Sequence, residues 1–436
     1  MIHSISKNDL SYLESIGINK SDIDSQISFL DSHNPIKLKL IRPCVVGDGI
    51  ISKEEAVNIA DLKNESEDEI SRFIPASGFG TRMFQLKDSD KSFFNNLKFT
   101  PIFELIYDFS AKNNIDLETI IKEKNIDELE DILLSDFKLN LKNTPKALLP
   151  FHKINNLSVS PIEEIISYFA NDIVNSNLIF AIQEENKDEY FKKLENSKFI
   201  NDINFEEFVK FTYQDHSTDS LCFDENKNVL RKEDGLVYTH PSGHGALLKN
   251  LNEINSDYIL INNIDNLSPK TKSLRYEITK MLYKLIRNIK DKNKILGKPI
   301  RVCGVIKDQH SKGGKPFWVS DGTDLSLQIV EESQVDFNNS EQKKIWELGT
   351  YFNPVEMICS FKDSKGLKYD LSEYSNMSLQ MKTKKNILEK EAIFVEKPGL
   401  WNGSMHNWHT TFVEISEKSF TPVKNFTDLF LPVHQT

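Results

Sequence analysis

The stretch Arg72-Phe73-Ile74-Pro75-Ala76-Ser77-Gly78-Phe79-Gly80-Thr81-Arg82-Met83 decides how the chain is read. A short apolar run feeds a glycine turn, and the turn delivers a threonine and an arginine. Glycine reaches backbone conformations that a Cβ forbids, so such a turn suits N–H groups that converge on an anion. Arg82 adds a permanent charge with fork geometry matched to phosphate. The pattern predicts a phosphate-cradling loop at the mouth of an α/β sheet. Two other glycine motifs do not fit. A dinucleotide fingerprint needs a third glycine where Met83 stands, and a P-loop needs Gly-Lys-Ser/Thr.

The chain around this loop has 436 residues, enough for one large domain or two ordinary ones. Hydrophobic residues make up 39% and charged residues 27%, as in a soluble globular protein. No apolar run approaches the ~20 residues that cross a bilayer, and the N-terminus lacks a signal-peptide pattern. The expected address is cytoplasmic, with no membrane partner. The net charge of −11 argues against a nucleic-acid partner but leaves room for a local cationic site. Cys44, Cys222, Cys303 and Cys359 form no CxxC pair and are expected to be buried free thiols.

Outward from the loop, Phe73 to Ala76 reads as a strand. Residues 1–70 read as helical segments joined by a turn-rich link, Arg42 to Gly49. Residues 88–140 read as a helical insertion. After it, Pro145-Lys146-Ala147-Leu148-Leu149-Pro150 brackets a lysine with prolines, and Pro161 opens a helix. Leu178 to Ile182 reads as a buried strand followed by a helix. Pro241-Ser242-Gly243-His244-Gly245 is a second glycine turn opening a helix. Tyr258 to Asn266 reads as a strand ending in amides and a carboxylate. Thr271 to Asn288 is amphipathic, and several strands follow Arg301. This alternation predicts an α/β core with a mainly parallel sheet. The expected division is an N-terminal extension over 1–70, a nucleotide-binding core over 71–300 containing the insertion, and a sugar-side portion of the same unit over 301–436.

Taken together, Gly78-Phe79-Gly80-Thr81-Arg82-Met83 and Pro145-Lys146-Ala147-Leu148-Leu149-Pro150 resemble the GxGTRM…PKxLLP signature of the sugar-1-phosphate nucleotidyltransferases. Three further segments resemble the UDP-sugar pyrophosphorylase branch. They are Pro241-Ser242-Gly243-His244-Gly245, Asn263-Ile264-Asp265-Asn266-Leu267 and Pro422-Val423-Lys424-Asn425-Phe426-Thr427-Asp428-Leu429. The five segments occur in the family's order. Ser326 to Glu331, Tyr351 to Val355 and Pro398 to Gly403 resemble, within that superfamily, a bacterial family known as a domain of unknown function. The resemblance implies a three-layer α/β/α fold with a central mixed sheet, and Mg²⁺-dependent transfer from a nucleoside triphosphate, UTP above all, to a sugar 1-phosphate.

The resemblance also assigns roles. Arg82, Lys146 and Lys424 would be catalytic cations, on the departing pyrophosphate, on the α-phosphate and incoming phosphate, and on the sugar phosphate respectively. Asp265 would bind Mg²⁺. Ser77, Gly78, Phe79, Gly80, Thr81, Gln214, Gly243, His244 and Gly245 would contact the nucleotide, with His244 equally suited to packing. Glu331, Asn353 and Asn402 would contact the sugar. Chemistry supports such a set independently: two phosphates that repel each other need alignment and cationic stabilisation rather than a covalent intermediate. Lys146 lies 64 positions beyond Arg82 (146 − 82), farther than in the familiar enzymes, so the insertion must leave and return at the rim of the site. The histidines show no HExxH spacing and no GxSxG elbow is present, which disfavours a zinc hydrolase or a serine hydrolase. A silent sugar-nucleotide sensor on the same fold, and a glycosyltransferase, are the rival readings.

Overall fold

The computed structural model describes residues 5–32, 37–60, 68–80, 83–87, 89–170, 176–292, 297–308, 313–322, 324–387 and 390–435. Thr81 and Arg82 lie outside the described residues. The chain divides into two compact units, the first formed by residues 1–68, 213–259 and 281–415, the second by 69–212, 260–280 and 416–436. Each unit draws on three separated stretches, so no linker or change of composition marks the division.

The fold is mixed α/β with helices on mixed sheet, as the resemblance implies; the alternation of strands and helices alone points to a mainly parallel sheet, and antiparallel pairings such as that of Ile300–Lys307 with Tyr351–Ser360 correct it. In the first unit Ile300–Lys307 pairs parallel with His409–Glu414 and antiparallel with Tyr351–Ser360. Seven of the eight residues of Ile300–Lys307 and all ten of Tyr351–Ser360 are buried, although the second strand carries Asn353, Glu356 and Ser360 among its apolar residues. Gly49–Ile51 joins the far side of His409–Glu414 in parallel, and Val45–Val46 joins Gly49–Ile51. The Arg42–Gly49 stretch is therefore not simply a link. Lys39–Pro43 is also a strand, paired antiparallel with Lys315–Ser320. Long-range pairing overrides its turn-rich local signal.

In the second unit Ile70–Pro75 pairs parallel with Ser176–Ile182 and delivers the glycine loop at its carboxyl end. Between Lys91 and Leu134 the described elements are all helical. The helices Leu117–Glu123 and Ile126–Leu134 are capped by Asp116 and Asn125, whose side chains accept from Thr119 N–H and Glu128 N–H. Their apolar faces bury Ile120, Leu129, Ile132 and Leu133 in one cluster with Phe84, Phe93, Val423, Phe426 and Leu429. The insertion thus has its own core, and the C-terminal segment is part of it. Beyond Pro150, a hairpin of His152–Ile154 and Leu157–Val159 turns at Asn155 and Asn156, both left-handed. The helix Pro161–Phe169 follows, with Ser160 N–H donating to Glu163 at 2.8 Å.

A buried polar chain ties the C-terminal residues to this hairpin. Tyr168 donates to Glu164 Oε1, Glu164 Oε2 contacts His152 Nδ1 at 2.6 Å, and His152 Nε2 contacts His434 Nδ1 at 2.8 Å. Glu164 and His152 are fully buried, and His434 Nε2 is buried with no hydrogen-bond partner among the described residues. Burial and the neighbouring His152 push His434 down to about 4.

Candidate functional site

In the second unit the glycine loop and the Thr144-Pro145-Lys146 segment form a short antiparallel ladder. Lys146 N–H donates to Gly78 O at 2.9 Å, Gly80 N–H donates to Thr144 O at 3.2 Å, and Phe79 faces Pro145. The insertion therefore returns the chain to the strand end from which it left. Neither Gly78 nor Gly80 has a positive φ, which corrects the expectation of a special backbone conformation. Gly80 is needed for contact: a Cβ there would lie 2.7 Å from Leu149 Cδ1 and 3.2 Å from Leu141 O. A Cβ on Gly78 would meet nothing within 4 Å. Gly80 N–H is spent on the ladder, while Gly78 and Phe79 N–H have no hydrogen-bond partner among the described residues. The base of the loop is fixed by Tyr190, whose hydroxyl donates to Ala76 O at 2.6 Å, and Gln183 reaches Ser77 O at 3.4 Å.

Lys146 Nζ lies 2.7 Å from Asp265 Oδ2, a contact across 119 residues of sequence. The two side chains are 15% and 21% exposed, so the pair is partly desolvated yet open to solvent on one side. Asp265 follows the fully buried strand Tyr258–Asn262. Its carbonyl accepts from Val423 N–H at 3.0 Å, and Asn266 bridges to Pro422. Val423 and Phe426 are anchored in the core, which leaves Lys424 and Asn425 exposed between them. The N–H groups of both donate to Asp428 Oδ2, at 2.7 and 2.8 Å. The backbone of Lys424 is therefore beside Asp265, while its ammonium lies 5.4 Å over the Phe420 ring.

Other predicted residues gather in the first unit. Gln214 Nε2 donates to Ser242 O at 3.0 Å, which brings it to the Gly243 turn. His244 stacks on Trp401, with centroids 4.1 Å apart and planes 9° from parallel. Its Nδ1 accepts from Leu400 N–H at 2.8 Å, and burial lowers it to about 4. His244 is thus a neutral imidazole with its proton on Nε2. Glycine lets this turn meet the 396–403 stretch. A Cβ on Gly245 would fall 2.2 Å from Pro398 O, one on Gly243 2.6 Å from Glu396 Oε2, and one on Gly399 2.3 Å from Asn402 Oδ1.

Glu331 is half-buried, and burial together with the Glu396 charge raises its pKa. Asn402 is buried, its Oδ1 accepting from Gly403 N–H and its Nδ2 without a partner among the described residues. Asn353 is also buried with Nδ2 unpartnered. It sits where the register shifts opposite Gly304 and Ile306, and its Oδ1 accepts from Val355 N–H at 3.0 Å. Val355 has φ +60, a strained conformation for a β-branched residue. No hydrogen bond among the described residues joins Asn353 to Glu331 or Asn402.

Two contributors escape sequence reasoning. Arg301 is fully buried in an apolar strand, and its Nη1 donates to Trp401 O at 2.6 Å while Nε donates to Thr410 Oγ1 at 2.8 Å. Nothing in its local pattern announces that reach. Glu396, beside Gly243 and coupled to Glu331, ends an ordinary amphipathic strand. All four cysteines are free and buried, as expected.

The family described as Domain of unknown function (DUF4301) matches residues 6–293 and 283–435. The chain belongs to that family. No curated protein matches. Among solved structures, this DUF4301 protein resembles UDP-glucose pyrophosphorylase of Leishmania major in complex with UDP-glucose, with 13% identity, a TM-score of 0.53, and coverage of 98% of this chain and 78% of that one. It also resembles the uridine diphosphate N-acetylglucosamine pyrophosphorylase of Trypanosoma brucei in complex with inhibitor, with 13% identity, a TM-score of 0.51, and coverage of 98% and 79%. A UDP-glucose phosphorylase of Trypanosoma brucei matches with 15% identity, a TM-score of 0.50, and coverage of 96% and 76%. At these identities the likeness establishes the fold. Among the described residues no helix is long and apolar enough to cross a membrane.

Proposed function

We propose that this DUF4301 protein is a sugar-1-phosphate nucleotidyltransferase, joining a nucleoside triphosphate, UTP by preference, to a sugar 1-phosphate with release of pyrophosphate. The observation that carries this reading is the Lys146–Asp265 contact at 2.7 Å. It joins the lysine of one motif to the carboxylate of another, beside a loop with two N–H groups that have no partner among the described residues. A pure binder has no need for a cation and a carboxylate held in this register.

In this reading Gly78 and Phe79 N–H face the triphosphate. Lys146 exchanges Asp265 for the α-phosphate and the incoming phosphate, and Lys424 neutralises the sugar phosphate after leaving the Phe420 ring. Arg82, from the sequence, holds the departing pyrophosphate. Ser77 and Thr81 complete the loop. Gln214, Gly243, His244 and Gly245 are assigned to the nucleobase, and Glu331, Asn353 and Asn402 to sugar hydroxyls. The neutral His244 offers only an Nε2–H donor, a fixed polarity suited to a carbonyl.

The donor set at Asp265 fits Mg²⁺. One carboxylate with solvent access matches a hard cation that is completed by phosphate oxygens and waters, and among the described residues no three-carboxylate or histidine cluster offers a dedicated cage. Bound there, Mg²⁺ would neutralise phosphate charge. Asp265 would hold it, and Lys146 would align the reacting phosphates without forming a covalent intermediate.

The test is pyrophosphate release with Mg²⁺, a panel of triphosphates and a panel of sugar 1-phosphates. One pair should turn over, and Asp265→Ala or Lys146→Ala should each lose about a hundredfold or more, equivalent to ~2.7–4 kcal/mol of barrier. If no pair reacts while a nucleotide sugar still binds, the protein is a sensor. Full Mg²⁺-dependent activity in Asp265→Ala would overturn the metal assignment.

A further inference from the structure

A cavity of about 470 Å³ lies in the second unit, and neither the glycine loop nor Lys146, Asp265 or Lys424 lines it. Its wall includes Arg72 on the strand Ile70–Pro75, Tyr168 and Phe169 at the end of the helix Pro161–Phe169, Asn266, and Lys272 and Arg275 on the first turns of the helix Lys272–Lys292. Among the described residues that line it, three are cationic and none is acidic. The Lys272 ammonium is exposed and lies 4.4 Å over the Tyr168 ring, and the Arg72 guanidinium lies 5.9 Å over Phe169. Glu164, joined to this wall through Tyr168, is fully buried and divides its two oxygens between Tyr168 and His152. The amino end of a 21-residue helix adds its own positive potential at Lys272.

We propose that this cavity binds a small phosphate-bearing molecule with an apolar or aromatic portion, at a site separate from the transfer pair. The volume falls in the range of small-molecule sites. Two guanidinium groups and an ammonium supply phosphate recognition. The Tyr168 and Phe169 rings give the rest of the ligand a flat apolar wall. Asn266 gives the site a route to the chemistry. It is the residue after Asp265, and its Oδ1 accepts from Thr421 N–H at 2.8 Å, so a ligand drawing on Asn266 acts on the segment that positions Asp265.

Calorimetric titration of the full chain with inorganic phosphate and with phenyl phosphate tests the proposal without any turnover, so it stands or falls apart from the transferase reading. Phenyl phosphate should bind, and bind tighter than inorganic phosphate. Its affinity should persist in Lys146→Ala and fall about tenfold or more in Lys272→Glu, where a charge-assisted contact becomes a repulsion. Lys272 is exposed, so that variant should fold normally. No binding of either probe at millimolar concentration would overturn the proposal. So would binding that Lys146→Ala abolishes and Lys272→Glu leaves intact. Equal affinity for the two probes would overturn the apolar half of the assignment.

Discussion

The two units assemble their functional candidates by different physics. In the second unit, charged side chains meet directly: Lys146 reaches Asp265, and a backbone ladder sets the loop that faces them. In the first unit, backbone turns and side chains, the Glu396 carboxylate among them, are drawn together by the absence of side chains on glycine. Gly243, Gly245 and Gly399 let backbones approach to distances at which a Cβ would collide, and His244, Trp401 and Asn402 pack around the result. Charge held on a few anchored residues suits phosphate chemistry, because stabilisation there depends on where the charge sits. Tight backbone docking with unpartnered amide groups suits recognition, because shape and hydrogen bonds discriminate among neutral ligands.

The sharpest way to break this contrast is kinetic. Asp265→Ala should lower kcat about a hundredfold. Asn402→Ala should act on KM for the sugar phosphate, with kcat largely kept, since among the described residues its Nδ2 has no partner to lose. Equal loss of kcat in both variants would erase the distinction.

Acid provides the next test. His434 in the second unit and His240 and His244 in the first are all held down to about 4 by burial. Each is neutral in the folded chain, whereas the unfolded chain takes up protons near the ordinary value of 6.5. The unfolded state therefore binds more protons across this window. The stabilisation is complete above about 6.5 and is lost as pH falls toward about 4, by about 3 kcal/mol for the well-buried His434. Urea titrations between pH 7 and 4 should show the decline. His434→Asn keeps an amide that can donate or accept near the Nδ1 position without titrating, and should flatten the curve. An unchanged slope would mean that His434 is not held neutral.

Glycine substitutions give the smallest but most local comparison. Gly245→Ala meets the Pro398 and Lys397 carbonyls, which cannot move aside cheaply, and should cost about 1–3 kcal/mol of stability. Gly78→Ala meets open space at an ordinary φ and should stay within about 0.5 kcal/mol of the parent by denaturant midpoint. A marked destabilisation by Gly78→Ala would show that the loop is packed rather than presented to a ligand.

The α/β class, the main strands and the helix from Pro161 were legible because their signals are local: apolar runs of strand length, amphipathic periods, a proline at a helix start. The motif order was also enough to name Lys146, Asp265 and Lys424 together. The strand Lys39–Pro43 was not legible, since its partner Lys315–Ser320 lies far along the chain. Nor was the division into units, because each is assembled from three stretches that only packing brings together.

What the sequence by itself determined about the glycine stretch was its place after a strand and its kinship with Pro145-Lys146. What the tertiary structure decided was why the glycines are there. Gly80 makes room for Leu149 and pairs with Thr144, and Gly78 leaves a face open, with neither using a left-handed backbone. Spacing along a chain records which residues are available. Whether a lysine ends beside a carboxylate 119 residues away depends on the insertion's own core, whose buried phenylalanines and leucines bring both ends of the loop back to one place.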